Sequence, residues 1–180
     1  MSDMYEEFLK RRSVRVYTDE PIDAADLKKI LAAGLMAPTG KSKYPWEFIV
    51  VKDRAMLEKL SACRVGVARM LAKAACAIVV VGNPEITDTL IEDCTIAAAY
   101  MHLEASTLGL GSCYIQGRGR KAEDGQTTEA YVRSLLGFPS TYKLQAILSL
   151  GHIGKAMRPH AEEKIMWEKV HQETFRNATR

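Results

Sequence analysis

The spacing of apolar and polar positions divides the chain into helices and short, strongly apolar strands. Met4, Tyr5, Phe8 and Leu9 recur at helical spacing and predict a first helix that ends near Lys10–Ser13. Val14-Arg15-Val16-Tyr17 then alternates as an extended segment does. Asp23 is placed to cap a second helix, with Ile22 and Leu27 as a hydrophobic staple. Leu27, Ile30, Leu31 and Leu35 line one face of it, and it stops before Pro38. Four strands are predicted, at Trp46–Val51, Ala77–Val81, Gly111–Gly117 and Lys143–Leu150. Between them lie helices over Arg54–Ala62, Val65–Lys73 and Ala130–Leu136, and a last amphipathic piece covers Glu162–Phe175. Arg118–Thr128 is polar and glycine-punctuated, the pattern of a mobile surface loop. Pairs of helices separate the strands, so an α+β class fits better than strict α/β alternation.

The longest pattern, Ile91–Gly117, predicts one helix, a glycine turn and a strand. Thr89-Leu90-Ile91-Glu92 has capping-box spacing, and Gly109 suits the left-handed residue that closes a helix. Ile91, Cys94, Ile96, Ala97, Ala98, Ala99, Met101, Leu103, Ala105 and Leu108 cover nearly the whole circumference. A helix apolar all round is buried all round. Either a second subunit or the rest of this chain satisfies that requirement.

Composition narrows the class. The 180 residues, 47% hydrophobic and 26% charged, suit one globular domain over residues 1–180. A net charge of +3 makes no electrostatic case for nucleic acid or a membrane surface. Cys63, Cys76, Cys94 and Cys113 lie 13, 18 and 19 residues apart, a usage that suits reduced thiols in a cytoplasm. With no signal-like run at the N-terminus, a cytoplasmic location is expected. Gly34–Ser42 imitates a phosphate-binding loop, but it has five residues between its first two glycines and runs from helix into strand. Gly109-Leu110-Gly111 lacks the third glycine of a dinucleotide fingerprint. His102, His152, His160 and His171 form no metal-ligand spacing, and His102 reads as a satisfied core histidine. No hydrolase elbow is present, and no cysteine has a setting that would activate it.

Arg11-Arg12-Ser13-Val14-Arg15 is different, because three guanidiniums and a hydroxyl fall where helix passes into extended chain. Their side chains can converge on a phosphomonoester, which arginine forks match bidentately. A solvated basic helix end accounts for the same residues.

This cluster, with further stretches in order, resembles the nitroreductase family of FMN-dependent oxidoreductases. The stretches are Ala37-Pro38-Thr39 before Tyr44-Pro45-Trp46-Glu47-Phe48, then Gly109-Leu110-Gly111-Ser112-Cys113-Tyr114-Ile115-Gln116-Gly117. Leu135-Leu136-Gly137-Phe138-Pro139, Leu150-Gly151-His152 and Lys169-Val170-His171 complete them, so that nearly the whole chain is covered. The resemblance implies an α+β fold with a mainly antiparallel sheet flanked by helices. It implies a homodimer with FMN at the interface and a C-terminal segment, about 160–180, that crosses onto the partner.

By resemblance, Arg11 and Arg12 meet the flavin phosphate, Ser13 the phosphate or ribityl chain, and Arg15 the N1–O2 edge. Pro38, Thr39 and Ser42 belong to a loop that reaches the flavin from the other subunit. Here Ser42 stands where the family commonly has asparagine and Tyr44 where it has glutamine, which puts a direct bond from Ser42 to the ring in question. Tyr114, Ile115, Gln116 and Gly117 match the stretch whose backbone approaches N5, and Arg158 is the C-terminal candidate for the phosphate. The implied activity is a ping-pong transfer of two electrons from NADH or NADPH to a nitroaromatic, quinone or similar flat acceptor. It needs no metal and no protein nucleophile. A flavin-destroying or dehalogenating relative and a flavin-binding sensor or store are the alternatives. Arg118-Gly119-Arg120-Lys121 would favour an anionic acceptor or the NADPH 2′-phosphate, unless it is a solvated charged loop.

Overall fold

The computed structural model describes residues 3–175; residues 176–180, the end of the segment expected to cross onto a partner, lie outside the described residues. Its centre is a four-stranded sheet of β1 (Trp46–Val51), β2 (Cys76–Gly82), β3 (Leu110–Gln116) and β4 (Lys143–His152), in spatial order β1-β2-β4-β3. Every pairing is antiparallel. All seven residues of β2 are buried, because the strand is central and both its faces are covered. Among the described residues five α-helices flank the sheet: α1 (Met4–Lys10), α2 (Ala24–Leu35), α3 (Arg54–Leu60), α4 (Leu90–Thr107) and α5 (Thr128–Leu136). Ile78 and Val80 of β2 pack with Leu27 and Ile30 of α2 and with Ala97 and Met101 of α4. Val79 and Val81 point the other way, onto Leu57 and Leu60 of α3 and Val132 of α5. Each such fully buried aliphatic side chain contributes about 1.5–3 kcal/mol relative to an exposed one.

The alternatives for α4 separate here. Asp93, Cys94, Ala97, Ala98, Met101 and Ala105 form its buried half. Ile91, Ile96 and Tyr100 on the opposite half remain 38%, 36% and 45% exposed, so the described residues do not wrap the helix themselves. The helix closes as expected on Gly109, in left-handed conformation at φ +73. Its start differs from the expectation. Thr89 makes no side-chain cap; its hydroxyl donates to Asp93 Oδ2 at 3.0 Å, so the acid that matters is Asp93 and not Glu92.

Three other expectations change. Val65–Lys73 is not an α-helix; only Arg69–Lys73 coils, as a 3₁₀ turn, with Gly66 left-handed before it. Glu162–Phe175, expected only as an amphipathic piece, holds two short 3₁₀ turns and does not bury its apolar residues, with Met166 and Trp167 exposed. Arg118–Thr128 is a pinned turn: Lys121 pairs with Thr127, and the Lys121 carbonyl accepts from Val65 N–H. Glu123 N–H donates to the Ala62 carbonyl, and Ala122 is buried.

Candidate functional site

The arginine segment is laid along the outer edge of β3. Ser13 bridges Ser112, and Val14 N–H donates to the Ser112 carbonyl at 2.9 Å. Close approach requires glycine on the sheet: a Cβ at Gly111 would lie 2.7 Å from Val14 Cγ1. Tyr17 clamps the far end, its buried hydroxyl donating to the Val14 carbonyl and bonding Ser149 Oγ, both at 2.7 Å. Burial pushes the Tyr17 phenol up, against the opposing pull of Ser149.

Arg11, Arg12 and Ser112 then border a cleft of about 160 Å³ at the C-terminal end of α4, closed by Gly109, Ile153 and Met157. Arg11 Nη1 donates to His102 Nε2 at 2.9 Å, and Nη2 approaches His160 Nε2 at 3.4 Å. Arg12 donates to the Arg158 carbonyl, and Arg15 to the Ser13 carbonyl at 3.1 Å. Burial, then the charge of Arg12, lowers the Arg11 pKa. Among the described residues, none of Arg11, Arg12, Arg15 and Arg158 pairs with a carboxylate. Glu7, which also lines the cleft, is paired with Lys10, so the charge of Arg11 and Arg12 is left unneutralised beside it, and positive charge in that position makes an anion site.

The strand adds donors. Since the Ser112 carbonyl faces the outer edge, ladder parity sends the N–H groups of Tyr114 and Gln116 there too. Gly117 N–H is instead spent on the Gln145 carbonyl at 3.1 Å. Its missing Cβ serves the core, for a methyl there would lie 2.7 Å from Leu144 Cδ2. Ile115 likewise turns its side chain inward, fully buried. Gln145 is the extra residue of a bulge between β2 and β4. Bulges of this kind re-aim a side chain. Here its Nε2 donates to Thr95 Oγ1 at 2.9 Å and to Tyr114 Oη at 3.4 Å, while the Tyr114 hydroxyl donates to Gln116 Oε1.

Pro38, Thr39 and Ser42 lie elsewhere. Their loop is fixed at the N-terminal end of α4, where Gly40 N–H donates to Asp93 Oδ1 at 2.9 Å and Tyr44 N–H to Thr39 Oγ1 at 3.2 Å. Lys41, Ser42 and Tyr44 all take left-handed backbone, at φ 54, 52 and 47. Such conformations are costly for non-glycine residues and concentrate at functional sites. Asp93 anchors this end of α4 and His102 the arginine end; they are nine positions apart, about 13 Å of helix. One copy of the chain therefore brings together Arg11, Arg12, Ser13, Arg15 and the β3 edge, and leaves the Pro38–Ser42 loop away from them.

Asp93, His102, Ser112 and Gln145 were not among the sequence candidates. Their common mark is a polar side chain within an apolar helix or strand. The four cysteines are free and buried. Burial pushes the Cys63, Cys76 and Cys94 thiols up to about 12, and that of Cys113 up despite Arg15, Ser13 and Arg11 beside it. Among the described residues, no helix is long and apolar enough to cross a membrane.

Comparison with known proteins meets the same segments. The sequence description of the Nitroreductase family matches residues 9–65 and 62–152. A protein provisionally named NADH dehydrogenase/NAD(P)H nitroreductase, from Archaeoglobus fulgidus, is 35% identical over 171 residues, 92% of this chain and 94% of that one. The solved structure of an FMN-dependent nitroreductase from Clostridium difficile is 40% identical with a TM-score of 0.92, covering 94% of this chain and 98% of its own. Iodotyrosine deiodinase 1 of Rattus norvegicus is 38% identical over 58 residues, 32% of this chain and 20% of that protein. With the profile spanning both the arginine segment and the β3 edge, the chain belongs to the nitroreductase family.

Proposed function

We propose that this chain is an FMN-dependent NAD(P)H oxidoreductase working as a homodimer. The observation that carries the reading is a cluster of arginines that, among the described residues, has no carboxylate partners and is joined through Ser112 to a strand edge whose N–H donors are unspent. The donor set fits the cofactor at both ends: guanidiniums for a phosphate dianion and backbone N–H groups for the polar edge of a flat ring. Relatives named NAD(P)H nitroreductase and FMN-dependent nitroreductase support the same pairing.

In this reading Arg11 and Arg12 hold the phosphate, with Arg158 entering from the C-terminal segment, and Ser13 meets the ribityl chain. Arg15 sets a positive charge beside the pyrimidine edge, which stabilises the negative charge gathered there on reduction. Tyr114 and Gln116 present N–H donors to the ring, held in place by Gln145. Bound FMN supplies the redox chemistry, two-electron exchange in ping-pong order between NADH or NADPH and a nitroaromatic, quinone or similar acceptor.

The Pro38–Ser42 loop covers the flavin of a second copy. Its distance from the arginines within one copy supports that assignment, as does the exposed apolar half of α4. Buried, unactivated thiols suit a reducing cytoplasm. The test is the visible spectrum of the purified protein with added FMN, followed by anaerobic NADH or NADPH. Flavin bands that bleach on addition are expected, and a preparation that takes up no FMN would overturn the reading. Bound flavin that neither nicotinamide bleaches would mark a sensor or store. Halide release from iodotyrosine would favour the deiodinase-like alternative, to which the 58-residue match points.

A further inference from the structure

His102 was expected to be a core histidine with its needs met, and its two partners say more than that. Arginine is a pure donor and stays protonated, so the 2.9 Å contact from Arg11 Nη1 requires a lone pair on His102 Nε2. A neutral imidazole carries one proton, which must then sit on Nδ1. That nitrogen faces Ser112 Oγ, so it donates there. The serine hydroxyl, having accepted, has its own proton left for the His102 carbonyl, 3.4 Å away. Every proton in this chain has one place to go, and the chain ends on Arg11 at the edge of the cleft. Burial and the neighbouring Arg11 charge lower the His102 pKa to about 4, so the imidazole keeps its acceptor at neutral pH.

We propose that His102 and Ser112 are positioning residues that hold the Arg11 guanidinium toward the cleft, and thereby set the preference of the protein for a phosphorylated flavin over an unphosphorylated one. This rests on the flavin reading above. The pair acts through Arg11: it fixes Nη1 on His102 Nε2 while Nη2 approaches His160 Nε2, and leaves the remaining N–H groups for an anion at the cleft. Ser112 suits the task because its backbone also carries the arginine segment through Val14. One residue thus sets both the backbone and the side chain of the cluster.

The experiment measures Kd for FMN and for riboflavin, by flavin fluorescence quenching, on the apoprotein dimer and its variants. His102→Leu removes the acceptor at similar volume, and the FMN Kd is expected to rise about tenfold or more, the loss of a charge-assisted hydrogen bond. Riboflavin, which has no phosphate, should stay within about twofold on the same scale. His102→Gln, whose Oε1 can accept from Arg11, should restore the FMN preference. Ser112→Ala leaves Nδ1–H unpartnered and should weaken FMN alone, which keeps the test open if the leucine variant does not fold. Nitrogen NMR should find the proton of His102 on Nδ1 and Nε2 bare. An FMN-to-riboflavin ratio unchanged in both His102→Leu and Ser112→Ala, or the opposite tautomer, would overturn the proposal. A wild-type protein that binds neither flavin would instead defeat the flavin reading itself.

Discussion

Asp93→Ala is the substitution that reaches furthest from a single side chain. The carboxylate is 2% exposed, in the first turn of α4, and accepts from Gly40 N–H at 2.9 Å and Thr89 Oγ1 at 3.0 Å. Hydrogen bonds to a charged group contribute about 1.5–3 kcal/mol each, and an acid at a helix N-terminus roughly 0.3–1 kcal/mol more. The low end of that sum applies, because a released loop recovers strain from Lys41, Ser42 and Tyr44, whose left-handed backbone costs on the order of 1 kcal/mol each. A net loss of about 3 kcal/mol follows, against a total stability of about 5–15 kcal/mol. In a chain of this size that lowers Tm by roughly 6–12 °C. Asp93→Asn keeps the shape and an acceptor, and should lose about half as much. The assay is urea and thermal unfolding at fixed protein concentration, since association shifts the apparent midpoint. In the proposed dimer the loosened loop also speeds FMN release. An alanine variant within about 0.5 kcal/mol of wild type would refute the anchoring role, since that is the range of an ordinary surface change.

Other expectations are simpler to read. His102 is held near a pKa of about 4 against 6.5 for a free histidine, so between those values the unfolded chain binds the extra proton. Stability is therefore full above pH 6.5 and falls as the pH drops toward 4, by up to roughly 3 kcal/mol. Urea midpoints of wild type and His102→Gln should diverge over that window, and parallel curves would count against it. Gly111→Ala drives a methyl into Val14 and Ile153, which should cost about 1–3 kcal/mol and lift the arginine segment, seen as lost FMN affinity larger than the lost stability. The four buried thiols should react with a disulfide reagent only in denaturant, and prompt labelling of the native protein would contradict their burial.

Much of the sheet was legible because strand periodicity and burial agree: β2 and β4 read as nearly unbroken apolar runs and lie at the centre. Arg11 and Arg12 were legible as a cluster, although only the fold shows that His102, 91 positions from Arg11, meets its guanidinium. The capping-box reading at Thr89 failed because an acid one position further on had a better partner, the Gly40 amide across the loop. Glu162–Phe175 was legible as an amphipathic piece but not in its conformation: its apolar residues stay exposed among the described residues, and without packing only short turns form. Arg118–Thr128 looked loose because its ties to Val65 and Ala62 are backbone bonds, which leave no trace in composition. Gln145 was invisible for a related reason: a bulge depends on the register of two strands and not on either alone.

α4 also works as a gauge. It carries the loop anchor at Asp93 and the arginine anchor at His102, so their separation is set by the rise of a rigid rod and not by any contact between them. In the proposed two-fold assembly each flavin takes one end from each copy, and the two rods must then keep the same length between anchors for both sites to close. Insertion of a single turn between Asp93 and His102 would leave every residue of both half-sites in place locally. It would still move the halves out of step by about 5 Å, in both sites at once.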